Sequence, residues 1–334
     1  MKVDGGVGFD LETVGAQAQE LEEMGHAGIM SAETSHDPFL PLLVAAQNTQ
    51  KVELMTSIAV AFARTPMNLA NIGHDLNAYS KGRFVLGLGS QIKPHITKRF
   101  SMPWSHPAAR MREFILAMRA IWASWHEGEP LQFTGKFYTH TLMTPFFTPT
   151  NCDYGAPKVF LAAVGPLMTE VAGEVADGMI AHAFTTEKYL RETTMPALER
   201  GFAKAGKSRE DFELSYPVFV VTGETEEELE QAKVAGAKQV AFYGSTPAYK
   251  PVLDSIGVGE LQGELNTMSK QGRWDEMGTL ITPDILQQFA VIGEPDTIAG
   301  QIKSRYGDLI DRTSAAYASI PKAERTKIIA ELSA

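Results

Sequence analysis

The sequence predicts an α/β protein of the (β/α)8 class, a TIM barrel, and three observations predict it. Short apolar runs alternate with amphipathic helical patterns along nearly the whole chain. Eight such runs occur, which suits a closed parallel sheet with a helix after each strand. No proline- or serine-rich linker divides the 334 residues, so 1–334 reads as a single (β/α)8-barrel domain with insertions near 129–155 and 242–292. An open doubly wound sheet is the alternative, and it calls for a phosphate-binding glycine fingerprint after the first strand. Gly5-Gly6-Val7-Gly8 lies inside that strand, and Gly87-Leu88-Gly89 has Ile92 where a third glycine belongs, so the fingerprint fails.

Taken in order, Val3–Phe9 is the first strand. Leu11–Met24 follows with Val14, Ala18, Leu21 and Met24 at helical spacing, and Gly25 stands where a glycine ends a helix. Ala27–Ser31 is the second strand and Pro41–Gln50 a helix. Val52–Ala61 is the third strand, Met67–Tyr79 the third helix, and Arg83–Leu88 the fourth strand. Ala108–Trp125 is a long amphipathic helix. Glu129–Thr148 then mixes Phe133, Phe137, Tyr138, Phe146 and Phe147 with Gly, Thr and Pro, the composition of a hairpin excursion. The alternation resumes with strand Lys158–Ala162, helix Leu167–Ala176, strand Gly178–His182 and helix Glu187–Ala205. Phe212–Val221 is the seventh strand. Thr225–Ala241 is a helix that opens on a capping box, Thr225-Glu226-Glu227-Glu228. Residues 242–292 are a second irregular stretch with helical patterns and no clear strand outside Phe289–Ile292. Asp296–Tyr306 is the last helix and Arg312–Tyr317 the last strand.

The formal net charge of −10 argues against nucleic acid or an anionic membrane as the main partner. The single cysteine, Cys152, makes no internal disulfide and sits in a turn-rich stretch. There is no run of about 18 apolar residues and no apolar signal segment at Met1-Lys2-Val3-Asp4, so a cytoplasmic location is expected.

In a barrel of this class, function sits at the C-terminal ends of the strands. After the second strand, Glu33, His36 and Asp37 cluster, and a carboxylate beside an imidazole can move protons. A carboxylate in an apolar barrel mouth is costly unless it is used. The other reading makes His36 a solvated loop residue and Asp37 the cap of the next helix. The strand-end histidines His36, His95 and His182 do not make a metal set, so no metal is expected. Gly87 and Gly89 near the fourth strand's exit mark either close approach by a ligand or internal packing. At Val164-Gly165-Pro166 a strand gives way to a helix start, where free N–H groups can hold a phosphate. Lys93, Lys98, Arg99, Arg110 and Arg112 form a basic run that suits an anionic ligand.

These segments together resemble a known family. Gly82-Arg83-Phe84-Val85-Leu86-Gly87-Leu88-Gly89 is similar to the fourth-strand signature of luciferase-like monooxygenases and F420-dependent oxidoreductases. Leu161-Ala162-Ala163-Val164-Gly165-Pro166 through Ala172-Gly173-Glu174-Val175-Ala176-Asp177-Gly178 resembles its fifth strand and helix. Thr56–Pro66 resembles its third strand, and Gly293-Glu294-Pro295-Asp296 its lead into the last helix. A closer resemblance, to an actinobacterial-type F420-dependent subgroup, rests on Ala32–Phe39, Met102–Ser105, Thr141–Phe147 and Ala241–Tyr249.

The resemblance implies a cofactor ring across the barrel mouth, coenzyme F420 with FMN as the alternative. It implies a non-prolyl cis peptide at Ser57-Ile58 behind the ring, with Gly89, Ser90 and Gln91 bordering it. It implies that Ala162, Ala163, Val164 and Gly165 line the ribityl chain and phosphate. Gln91 stands where some sugar-phosphate dehydrogenases of the family carry an acid/base glutamate, and an amide cannot exchange that proton. Glu33 and His36 are therefore the candidate catalytic residues. The expected activity is hydride transfer between F420 and an unidentified small-molecule substrate. The alternatives are an FMN monooxygenase served by a partner reductase and, in another class, a non-catalytic cofactor-binding barrel. Family members are commonly homodimers, and the same is expected here.

Overall fold

The apolar runs become eight short strands: β1 Lys2–Gly6, β2 Gly28–Ser31, β3 Glu53–Thr56, β4 Phe84–Gly89, β5 Lys158–Ala163, β6 Gly178–Ala181, β7 Glu213–Tyr216 and β8 Arg312–Thr313. The computed structural model describes residues 1–314 and 320–334. The strands lie in the order β3-β2-β1-β8-β7-β6-β5-β4, and β3 also pairs with β4, so the sheet closes on itself. The β1–β8, β7–β8, β2–β3, β3–β4 and β4–β5 ladders are parallel. This is the expected (β/α)8 barrel. Its helices are α1 Leu11–Glu23, α2 Phe39–Asn48, α3 Pro66–Tyr79, α4 Pro107–His126, α5 Pro166–Val175, α6 Met195–Ala205, α7 Pro295–Tyr306 and α8 Lys322–Ser333.

Local chemistry sets the boundaries. Asp10 caps α1 by accepting from the Glu12 N–H, and Gly25, at φ 89°, turns the chain out of it. Thr65 caps α3 and Pro66 takes its first position. The Thr225 capping box forms as expected and opens the helix Glu226–Gly244.

Two expected strands are broken in the structure. The third stops at Thr56, passes through a cis Ser57–Ile58 peptide, and resumes as Ala59–Val60 beside β4. The seventh ends at Tyr216, because Pro217 has no N–H for the ladder. The chain then forms a second strand, Phe219–Thr222, which pairs in parallel with Ala290–Gly293 away from the barrel sheet. The excursion after α4 contains a small antiparallel pair, Phe133–Thr134 with Thr139–His140. Helix α8 was not foreseen in the sequence. The expected last strand is seen at Arg312–Thr313, and positions 315–317 of it lie outside the described residues.

The chain divides into two compact units. The first comprises Gly5–Ile180 and Ala197–Glu213; the second comprises Met1–Asp4, Ala181–Pro196 and Leu214–Ala334. In the first, Met55, Val85, Phe160 and Ile180 form a buried cluster against which Met30, Ile58 and Ala162 pack. There Arg83 ties β4 to neighbouring turns by donating to the carbonyls of Ala46, Thr49, Val52 and Ser80. In the second, Phe184, Val221, Leu253, Leu265 and Phe289 belong to a larger apolar core. Also in the second, Asp4 and Arg312 form a fully buried two-pronged ion pair, with Nε–Oδ2 2.9 Å and Nη2–Oδ1 2.7 Å. No helix among the described residues is long and apolar enough to cross a membrane.

Candidate active site

All the expected site residues fall in the first unit, at the C-terminal ends of β2, β3, β4 and β5. Glu33 follows β2 and is buried, with 8 % of its surface exposed. Its Oε2 accepts from the Val60 N–H at 2.7 Å and from Arg64 Nη1 at 2.6 Å. Its own N–H donates to the Ile58 carbonyl at 3.1 Å. Glu33 therefore holds the chain just after the Ser57–Ile58 peptide, at Ile58 and Val60. Its other oxygen, Oε1, has no hydrogen-bond partner among the described residues. Arg64 also reaches Asp37 at 3.1 Å, and Asp37 accepts from the Phe39 N–H at the start of α2. Asp37 thus bonds the first N–H of α2 from one position before the N-cap, Pro38, which itself carries no side-chain cap. His36 is exposed and stacked on Phe9, ring centroids 5.1 Å apart, with no hydrogen bond to Glu33.

Arg64 was missed in the sequence. It lies 31 residues from Glu33, and no local spacing announces the pair. The Thr65-Pro66 helix start that follows it was the one available signal, because it fixes Arg64 at a strand-end turn.

The two glycines of β4 have different reasons. A Cβ on Gly87 would come within 1.8 Å of the Thr56 carbonyl oxygen, so the backbone of β3 excludes any side chain. Thr56 Oγ1 reinforces the contact by donating to the Gly87 carbonyl and accepting its N–H, at 2.8 and 2.9 Å. A Cβ on Gly89 would meet Ile58 Cγ1 at 2.8 Å. Gly89 thus makes room for the Ile58 side chain. Beyond it, Ser90 Oγ donates to the Gln91 carbonyl, and Gln91 has φ 57°, a left-handed conformation uncommon outside glycine.

At the end of β5, Ala162 and Val164 are partly buried and Ala163 is buried. Gly165 is the N-cap of α5, with Pro166 at its first position. A Cβ on Gly165 would meet nothing within 4 Å, and Leu167 is 72 % exposed. The first turn therefore faces open space, with the Leu167 and Met168 N–H groups of the kind a helix leaves unbonded. A phosphate fits such a start.

The basic run is less uniform than its sequence. Arg112 pairs with Glu174 at 2.6 Å, and that carboxylate raises its pKa. Arg110 donates to Tyr138 Oη and to the Pro103 carbonyl. Arg99 donates to the Thr34 carbonyl, next to Glu33. Lys93 and Lys98 are exposed and form no ion pair among the described residues. Cys152 Sγ faces the carbonyls of Trp125 and Pro149 at 3.7 Å. No group of three or more metal-ligating side chains occurs among the described residues.

A family model described as luciferase-like monooxygenase matches residues 2–312. An uncharacterized protein of Mycobacterium tuberculosis is 54 % identical over 93 % of this chain and 92 % of its own length. The 5,10-methylenetetrahydromethanopterin reductase of Archaeoglobus fulgidus is 26 % identical over 78 % of this chain and 75 % of its own. Among solved structures, the coenzyme F420 dependent tetrahydromethanopterin reductase from Methanopyrus kandleri superposes with a TM-score of 0.76 at 18 % identity. That match covers 98 % of this chain and 96 % of the other.

Proposed function

The chain belongs to the luciferase-like monooxygenase family, and from that premise we propose that it is an oxidoreductase that binds coenzyme F420 and exchanges a hydride with a small organic substrate. The observation that carries the cofactor reading is the open helix start at Gly165, a cradle that a side chain would fill and where backbone N–H groups suit a phosphate. The named relative that depends on F420, and the exposed Lys93 and Lys98, which suit a polyanionic tail, favour F420 over FMN.

Gly165 and the first turn of α5 would hold the phosphate, Ala162, Ala163 and Val164 the chain leading to it, and Ile58, Gly89, Ser90 and Gln91 the ring. Bound there, the deazaflavin supplies a ring carbon that takes up or gives a hydride. Glu33 keeps Oε2 fixed by Arg64 and Val60 and offers Oε1 for the matching proton. His36, exposed on Phe9, is the second group able to move it. FMN with a partner reductase is the other reading, favoured by the monooxygenases from which the family takes its description.

Titration of tryptophan fluorescence with F420 and with FMN tests the proposal. F420 is expected to bind more tightly. Tighter binding of FMN moves the chain to the monooxygenase reading, and binding of neither overturns the assignment of a cofactor.

A further inference from the structure

The second unit holds a set of aromatic side chains that the proposed cofactor chemistry does not use. His182 directly follows β6. Tyr249 stacks on its ring, centroids 4.7 Å apart and planes 29° apart, and Tyr243 meets it edge-on at 4.9 Å. Behind them Phe184 is buried and stacked on Phe289 at 4.5 Å. Phe184 and Phe289 belong to the core, whereas Tyr243 and Tyr249 pack against it and stay partly exposed.

The polar atoms of this set are defined. His182 Nδ1 accepts the Phe184 N–H at 3.0 Å, so in the neutral ring the proton sits on Nε2. Burial pushes the imidazole down to about 4, which keeps it neutral at physiological pH. Burial, and then the nearby Tyr243, push Tyr249 up to about 12, so its hydroxyl keeps its proton. Nε2 and the two hydroxyls make no hydrogen bond among the described residues, and none of the three atoms is sealed from solvent.

We propose that His182, Tyr243 and Tyr249 form a binding site for a planar, uncharged carbonyl compound, with the His182 Nε2–H donating to the carbonyl oxygen and the tyrosine rings flanking its apolar body. The set presents O–H and N–H donors beside aromatic faces, which matches an acceptor oxygen on a flat apolar group. His182 and Tyr249 are both neutral, so a carboxylate would bring a charge that they cannot balance. The site uses residues of the second unit alone and stands whichever cofactor the first unit takes.

Acetophenone is a suitable probe, with ethylbenzene as its match lacking the oxygen. Equilibrium dialysis of the full chain is expected to show acetophenone binding about tenfold more tightly than ethylbenzene, the effect of one hydrogen bond. His182→Phe is expected to abolish that preference while leaving ethylbenzene binding in place. Because this variant could misfold, the wild-type protein labelled with ¹⁵N-histidine provides a second measurement. Acetophenone should shift the His182 Nε2 resonance, and ethylbenzene should leave it nearly unmoved. Equal affinity for the two probes, or an Nε2 signal indifferent to acetophenone, overturns the proposal.

Discussion

Glu33 has one carboxylate oxygen tied by two donors and one left open, an asymmetry that separates a structural task from a chemical one. Glu33→Gln preserves the shape and removes proton exchange. It is expected to lower the hydride-transfer step by roughly 10²–10⁴-fold, measured by stopped flow, with little change in cofactor affinity. His36→Asn is the parallel test, and wild-type rates in both variants remove these residues from the proton path. A second residue-scale prediction concerns acid. The folded state holds His182 down to about 4, while the unfolded chain has an ordinary histidine near 6.5. The unfolded state therefore takes up the proton first as pH falls. Its contribution is complete above pH 6.5 and is lost between there and pH 4, on the order of 3 kcal/mol. Denaturant midpoints against pH should show this acid arm in the wild type, and His182→Phe should flatten it. At this scale the sequence disclosed Glu33, because a carboxylate at a strand end has a cost that local context makes visible. It offered Tyr243 and Tyr249 as rings able to stack on a planar group, but not the meeting of Arg64 with Glu33 or of the tyrosines with His182, because these partners lie 31 residues or more along the chain and only the fold brings them together.

Among the elements, the glycines at the ends of β4 and β5 look alike in sequence and differ in consequence. Gly87→Ala drives a methyl group into the Thr56 carbonyl, and backbone cannot step aside as a side chain can. It should destabilise the first unit by about 1–3 kcal/mol or more, read from the denaturant midpoint. Gly165 has φ −88°, ordinary for any residue, and open space around its missing side chain. Gly165→Leu should therefore leave the thermal midpoint nearly unchanged. It should weaken F420 binding roughly tenfold or more, the equivalent of one hydrogen bond to a charged group. Unchanged affinity would place the phosphate elsewhere. The strands and most helices were legible within a few residues, because apolar period and capping chemistry are local. The break at Pro217 was legible in principle and was read through, because the apolar residues on either side continue the strand pattern. The cis bond at Ser57–Ile58 has no compositional mark at all, and only the likeness of the surrounding segment to a family pointed to it.

At the scale of the whole molecule, a buried ion pair joins the first and last strands of the barrel. Asp4 in β1 and Arg312 in β8 are fully buried against each other. Removing one partner leaves an uncompensated charge in the interior, so Arg312→Met should cost about 3–5 kcal/mol in denaturant unfolding. Asp4→Leu combined with Arg312→Met should recover most of that loss, because neither charge is then stranded. Neither residue stood out in the sequence, where an arginine that opens the last strand and an aspartate within the first have no visible relation. The same pair sets an order of events in time. The two residues are separated by 308 positions, so a ribosome adding about 5–20 residues per second delivers the arginine some 15–60 s after the aspartate. Throughout that interval the first strand carries a charge with no partner and must keep it in water. The first barrel strand therefore waits, hydrated and unsealed, for the last barrel strand to arrive.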